Sequence, residues 1–463
     1  MSKIETINPA TEEVIAEFDV STKEQVDEAV QKAKKAFAAW RELGSRRTDH
    51  LASFANELRK KGQRLAKLIT NEMGKPIKES IPEVEKCAWV MDYYAENGIT
   101  FLKTEAVTTD AKKSFVSFEP LGVIGSIMPW NFPFWQALRF AAPSLMAGNT
   151  VVLKPSSAVP QCGLAIEESF RNAGFPRDVF QTIIGDSSTA ELLLDSDIDA
   201  VSFTGSVSVG AKVGQKAISR LKKCVLELGG SDPFIVCADA DIEKAASGAL
   251  KGRFINCGQS CIASKRFFVV KNVADEFIDK FVKNTKKLRV GDPLDEETDI
   301  GPMVNKSALE TAQSQVDDAT SKGAELLTGG KRVGSKGYFY SPTVLSGVKQ
   351  SMRVMQEETF GPIAPVAIVN DEDEAVRLAN ASRFGLGASV WTEDLIKAER
   401  IAKVLENGLV TVNNVVVSDP RLPFGGVKQS GVGRELSRYG MLEFTNIKSV
   451  RFYEELIVKH YVE

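Results

Sequence analysis

Histidine is nearly missing from this chain: its 463 residues contain two, His50 and His460. A three-histidine zinc centre cannot be assembled from them. A Ser-His-Asp triad would have to draw on His50, which stands in a charged stretch with Arg46, Arg47 and Asp49 that reads as exposed. Cysteine is scarce too. Cys87, Cys162, Cys224, Cys237, Cys257 and Cys261 are too few for the disulfide framework of a secreted protein, and reduced thiols point to a cytoplasmic chain. Neither sign of charge is in excess: 58 Lys and Arg against 61 Asp and Glu leave −3, which gives nucleic acid no electrostatic footprint. The uncharged run 120–138 is long enough to span a membrane, but Pro120, Gly122, Gly125, Pro129, Asn131 and Pro133 interrupt it. Such breakers leave backbone groups unsatisfied in lipid, so the run is expected to be buried strand and loop. The acidic N-terminal segment has no apolar core and does not read as a signal peptide. No fixed-period repeat, low-complexity tract or Gly-x-Gly-x-x-Gly fingerprint occurs.

What remains is an ordinary globular composition, 43% apolar and 26% charged, in a length suited to two or three domains. The stretch 22–70 has the period of an amphipathic helix. From residue 149 strands and helices alternate: strands at 150–153, 179–184, 200–204 and 224–228, with helices at 158–171, 190–194 and on to 220. A second alternation follows Gly229-Gly230, with strands at 266–270, 365–369, 388–391 and 409–412 and helices at 242–252, 275–288, 372–381 and 395–405. Two α/β domains with parallel sheets are expected. Residues 113–118 and the last 20 residues fit neither; they alternate as half-exposed strands, which seek partners.

Four places carry residues suited to chemistry. In Gly258-Gln259-Ser260-Cys261 the small polar residues suit a turn that exposes a thiol beside a helix N-terminus, where thiolate is favoured. The alternatives are a core cysteine, or a metal pair with Cys257, although no partners stand at zinc spacing. In Leu226-Glu227-Leu228-Gly229-Gly230 a lone glutamate ends an apolar strand; it is either a surface ion-pair partner or a buried general base. Asn131, in Pro129-Trp130-Asn131-Phe132-Pro133, is either a turn residue or a fixed amide donor for an oxyanion. Lys154-Pro155-Ser156-Ser157 and Thr204-Gly205-Ser206 follow strands and open helices, as anion-binding loops of parallel sheets do.

Seven segments taken in order resemble the NAD(P)-dependent aldehyde dehydrogenase superfamily: PWNFP (129–133), LKPS (153–156), FTGS (203–206), LELGG (226–230), GQSC (258–261), EETFGP (357–362) and PFGGVKQSGVGRE (423–435). The resemblance runs from Asn8-Pro9-Ala10-Thr11 to the tail. It implies an α/β fold with three parts. They are a Rossmann-type cofactor domain (1–108 and 127–228), a catalytic α/β domain (229–430), and a β oligomerisation arm with the C-terminal tail (109–126 and 431–463). It implies Cys261 as nucleophile, Glu227 as the base that hydrolyses a thioester, and Asn131 as oxyanion donor. Glu227 is typically absent from acyl-CoA-forming branches, so its presence implies release of a free acid. Trp130, Lys154, Ser156, Ser157, Gly205, Ser206, Leu228, Glu358 and Phe360 match cofactor-binding positions.

Ser157 stands where members that prefer NAD often carry Glu. A hydroxyl there can donate to a 2′-phosphate that a carboxylate would repel, so NADP is expected in preference to NAD. The chain is most similar to the succinate-semialdehyde dehydrogenase branch, through PWNFPFWQALR and SDPRLPFGGVKQSG. Arg139 matches that branch's carboxylate clamp, with a surface helix arginine as the alternative. Some members of that branch carry a second arginine six residues before the cysteine, where this chain has Ile255. Ser418 and Arg421 are the expected substitutes, and glyceraldehyde, lactaldehyde or another small aldehyde stays open as substrate. A cofactor-independent thiol esterase and a catalytically silent structural relative are the rival classes. No metal, nucleic acid or membrane partner is expected, and the chain is expected to form a homodimer or homotetramer.

Overall fold

The computed structural model describes residues 2–453; His460 and the rest of the tail lie outside the described residues. Two large sheets organise the chain. The first has six strands, in the spatial order Gly431–Val432, Lys223–Glu227, Ala200–Thr204, Val123–Met128, Thr150–Pro155 and Phe180–Thr182. All pair in parallel except Gly431–Val432 at the edge. From Val123–Met128 the chain first builds outward through Thr150–Pro155, then returns to add Ala200–Thr204 on the other side. That reversal opens a crevice at the carboxyl ends of the two neighbouring strands, where open α/β sheets take their ligands. Those ends lead into Pro129–Asn131 and Gly205–Ser206.

The second sheet has seven strands, ordered Glu325–Thr328, Thr343–Ser346, Ile363–Val369, Ser264–Val270, Asp232–Val236, Gly387–Trp391 and Leu409–Val412. The chain crosses from the first sheet to the second between Glu227 and Asp232, at the expected Gly229-Gly230 junction. Val123–Met128, Thr150–Pro155, Ala200–Thr204, Asp232–Val236 and Ser264–Val270 are buried at every residue. Helices cover both faces, which is why these strands read as unbroken apolar runs rather than alternations.

A three-stranded antiparallel sheet joins Glu105–Ala106, Lys113–Pro120 and Thr445–Phe452. It contains the first of the two stray strands and the described part of the second. Strand Val123–Met128 belongs to the six-stranded sheet and straddles the expected boundary at 126, while Glu105–Ala106 lies before the expected start at 109.

Several helices depart from the sequence reading. The expected 22–70 helix is split into Lys23–Glu42 and Arg47–Met73 by the turn Gly44–Arg46. Its start is fixed by a capping box, in which Thr22 Oγ1 accepts from Gln25 N and Gln25 Oε1 accepts from Thr22 N. The second half of the 120–138 run is not loop: helix Pro133–Ala147 begins there. All fifteen of its residues are buried, so no polar stripe betrays it. Ile77–Phe101 carries Pro82 inside it, which hides its period from a sequence reading. His50 is half-buried rather than exposed, with its ring against Trp40 and Phe175 at 5.5 and 5.3 Å between centroids. Burial pushes its pKa down.

Candidate active site

The loop that carries Cys261 is built with strain. Helix Ile242–Phe254 ends, and Asn256, Cys257 and Gly258 then take φ of +51°, +55° and +72° in succession. Left-handed backbone costs a non-glycine residue on the order of 1–3 kcal/mol, so the surroundings must enforce it. At Gly258 only glycine fits, since a Cβ would stand 2.3 Å from Gly361 O. Asn256 donates through Nδ2 to Asn131 O (2.8 Å) and Gln259 O (3.2 Å), and its N–H donates to the Glu79 carboxylate (2.7 Å). Arg253 is fully buried and donates to four carbonyls: Gly258 (2.7 Å), Ser264 (3.0 Å), Thr359 (3.3 Å) and Gly361 (2.7 Å).

Cys261 follows this loop and is half-buried. The expected helix N-terminus is not there: the next element is strand Ser264–Val270. Without that dipole, burial dominates and pushes the thiol up to about 11, against the opposing pull of Arg139 and Lys265. Cys257 is a core residue, buried with its sulfur 3.8 Å from Met303 Sδ.

Asn131 is buried and its Nδ2 donates to Gln259 O at 3.0 Å, which ties it to the cysteine loop. It precedes helix Pro133–Ala147, whose first free N–H groups are taken by Glu83: Phe134 N and Trp135 N donate to Oε1 at 3.0 and 3.1 Å. Lys75 pairs with the other oxygen of Glu83, and both side chains are buried. One helical turn of Pro133–Ala147 then presents Gln136 and Arg139 on one face.

Two cavities meet at Cys261 and Gln136. One, of about 180 Å³, is lined by Phe132, Trp135, Arg139, Ile255, Val416 and Phe424, with Lys86 and Ser418 among its polar groups. The other, of about 280 Å³, is lined by Trp130, Asn131, Thr204, Gly205, Ser206, Leu228, Glu358 and Phe360. Trp130 and Phe360 meet edge to face, 5.7 Å between centroids. Glu358 accepts from Lys265 Nζ (2.9 Å) and Gly230 N (3.0 Å). Ser206 caps helix Val207–Ser219. Lys154 is buried, its Nζ donating to Gly185 O at 3.1 Å, and burial pulls its pKa down to about 8. Ser156 and Ser157 are half-buried in the loop that follows it.

Glu227 ends strand Lys223–Glu227 and is buried with neither carboxylate oxygen hydrogen-bonded to protein. The surface ion-pair reading of this residue is therefore excluded. Burial first, and then the charge of Glu435, push its pKa well up, while Arg139 and Arg434 act in the opposite sense. Gly425 leaves room for it, since a Cβ there would lie 2.6 Å from Glu227 Oε1.

Arg139 is buried, not a surface arginine. It lines the smaller cavity, but its guanidinium is ion-paired with Glu435 and stacks on the Phe424 ring at 4.2 Å. Ser418 lines the same cavity. Arg421 does not; it is exposed and gives its Nε and Nη2 to Asp419 at 2.9 and 2.6 Å. Its expected place beside the cavity is corrected by that local pair. Sequence reasoning missed Lys86, Gln136 and Glu435. Lys86 and Gln136 sit in helices that it did not find, and Glu435 lay inside a recognised motif with no role attached.

Comparison with known proteins identifies the family. The profile of the aldehyde dehydrogenase family matches residues 1–450. A succinate-semialdehyde dehydrogenase [NADP(+)] of Mycobacterium tuberculosis is 45% identical over 452 residues, covering 96% of this chain and 99% of that protein. The succinate semialdehyde dehydrogenase [NAD(P)+] of Escherichia coli K12 is 42% identical over 447 residues, covering 96% and 97%. The solved structure of a succinic semialdehyde dehydrogenase from Streptococcus pyogenes in complex with NADP+ superposes with a TM-score of 0.95 at 34% identity, covering 97% of this chain and 100% of that one. A family profile matched over residues 1–450, together with relatives 42–45% identical over 96% of the chain, places this chain in the aldehyde dehydrogenase family.

Proposed function

We propose that this chain oxidises succinate semialdehyde to succinate with NADP+. The observation that carries the reading is the position of Cys261, the one thiol shared by the crevice at the strand reversal and a smaller cavity that holds Lys86 and Arg139. The crevice suits the cofactor. It opens at the strand reversal, has the N-terminus of helix Val207–Ser219 at one side, and keeps Thr204 Oγ1 buried without a partner. Ser206 and Lys154 would meet the phosphates and ribose, Phe360 and Trp130 the nicotinamide, and Ser157 the 2′-phosphate.

The Cys261 thiolate adds to the aldehyde carbon and forms a carbon–sulfur bond. The oxygen becomes an oxyanion, which Asn131 Nδ2 and the Cys261 N–H accommodate. The nicotinamide of bound NADP+ supplies the two-electron acceptor for that adduct. The acyl group then rests on sulfur as a thioester. Glu227 takes a proton from water, the hydroxide attacks the acyl carbon, and the carbon–sulfur bond breaks to release succinate. A carboxylate raised by burial is a strong base once ionised. The six cysteines are all free thiols, which suits a reducing, cytoplasmic setting. Edge strand Thr445–Phe452 exposes Ile447 and Phe452, and we assign it to pairing with a second copy; a monomer in light scattering would refute that.

The test is an aldehyde panel run with NADP and with NAD, following reduced nicotinamide. Succinate semialdehyde with NADP should give the highest kcat/KM. Glyceraldehyde, lactaldehyde or an uncharged aldehyde outrunning it overturns the substrate. Ester turnover with no reduced nicotinamide at all would favour a thiol esterase.

A further inference from the structure

Succinate semialdehyde is an anion at its far end, and the cavity must neutralise that charge. Arg139 cannot do so alone, because Glu435 already balances its charge inside the protein. The cavity holds a second fixed cation, Lys86. It projects from helix Ile77–Phe101, which also supplies Glu79 and Glu83 to the same wall. Its Nζ donates to Ser418 Oγ at 2.7 Å and lies over the Trp135 ring, 4.4 Å from the centroid. The aromatic face and the hydroxyl fix the ammonium but leave its charge unbalanced, since no carboxylate forms an ion pair with it among the described residues. Of the carboxylates that act on it, Asp419 is paired with Arg421, and Glu83 is already taken by Lys75 and by two backbone amides. Lys251 also lines the cavity but is exposed and can follow solvent.

We propose that Lys86 is the specificity-determining cation for the substrate carboxylate, holding it together with Ser418. This rests on the substrate reading above and deepens it. Lys86 makes an ammonium–carboxylate contact in a half-dry site, to which the Arg139–Glu435 pair adds no net charge. The same surroundings make the ammonium easy to discharge. Burial and the nearby Arg139 pull the Lys86 pKa down to about 8, against Asp419, Glu83 and the Cys87 thiol. Glu79 and Lys251 complete the charged groups of the cavity wall.

The experiment compares kcat/KM for succinate semialdehyde and for butanal, which has the same chain length and no carboxylate. It uses wild type, Lys86→Met and Lys86→Arg. Loss of a charge-assisted contact should cut the semialdehyde-to-butanal ratio by about 10- to 100-fold in Lys86→Met, with most of it restored in Lys86→Arg. In wild type the same ratio should fall as pH rises through about 8, because the lysine is charged below that value and neutral above it. If wild type shows no preference for the semialdehyde, the substrate reading falls. If the preference is present but is insensitive to Lys86→Met, or stays constant across that pH range, the assignment of Lys86 falls and the substrate reading stands.

Discussion

Glu83 offers the sharpest test of how the site is held. Its carboxylate accepts from Phe134 N and Trp135 N and pairs with Lys75, all out of water. Lys75 also lies over the Phe132 ring, 3.6 Å from the centroid, so it has no route to solvent. Glu83→Gln keeps the shape and one acceptor oxygen but strips the charge. It leaves a buried ammonium without its ion-pair partner, with the Glu79 carboxylate acting on it from outside hydrogen-bonding reach, a loss of about 3–5 kcal/mol. For a chain this long the unfolding entropy is roughly 1 kcal/mol/K, so Tm should drop by about 3–5 °C in scanning calorimetry. Lys75→Met should cost a similar amount, for the reciprocal reason. The double variant should lose clearly less than the sum of the two, since neither charge is then stranded. A drop below about 1 °C in Glu83→Gln, or strict additivity in the double variant, would refute the argument that the pair is buried and interdependent.

Three further outcomes follow from the site. In cofactor-free protein the Cys261 thiol is pushed up to about 11. Inactivation by iodoacetamide should therefore quicken about tenfold per pH unit from about 7 to 10, and a plateau below about 9 contradicts the burial argument. Glu227→Gln should keep the first burst of reduced nicotinamide while steady-state kcat falls by roughly 10²–10⁴-fold, because only thioester hydrolysis needs the base; absence of the burst would assign Glu227 elsewhere. Ser157→Glu should move the NADP-to-NAD ratio of kcat/KM at least about tenfold toward NAD through like-charge repulsion, and an unmoved ratio removes Ser157 from cofactor choice.

The elements most legible in the sequence were those with a period. The strands and helices read after residue 149 fall within a few residues of expectation, since parallel strands between helices leave a regular trace, but strands Asp232–Val236, Glu325–Thr328 and Thr343–Ser346 and helix Lys306–Ser321 went unread. Pro133–Ala147 left none, because a helix buried on every side has no polar face to mark it. Asn131, Glu227 and Cys261 were visible as odd residues in their local setting: an amide between prolines, a carboxylate in an apolar strand, a thiol in a small polar turn. What surrounds them was not. The pairing of Arg139 with Glu435 spans almost 300 positions, and that of Lys86 with Ser418 spans 332. No local pattern encodes such partners. The dipole expected to ionise Cys261 depended on a helix that the turn suggested and the chain does not form.

Arg253 has a consequence for how tightly the site is toleranced. Its guanidinium grips both ends of the cysteine loop, at Gly258 and Ser264, and both neighbours of Phe360, at Thr359 and Gly361. The Cys261 loop and the Phe360 loop are thus clamped to one rigid plate. A displacement of either loop carries the other with it, because Arg253 and also Lys265, which donates to Cys261 O and to Glu358, tie the two together. On the reading proposed above, thermal play of the two loops would then be shared as common motion.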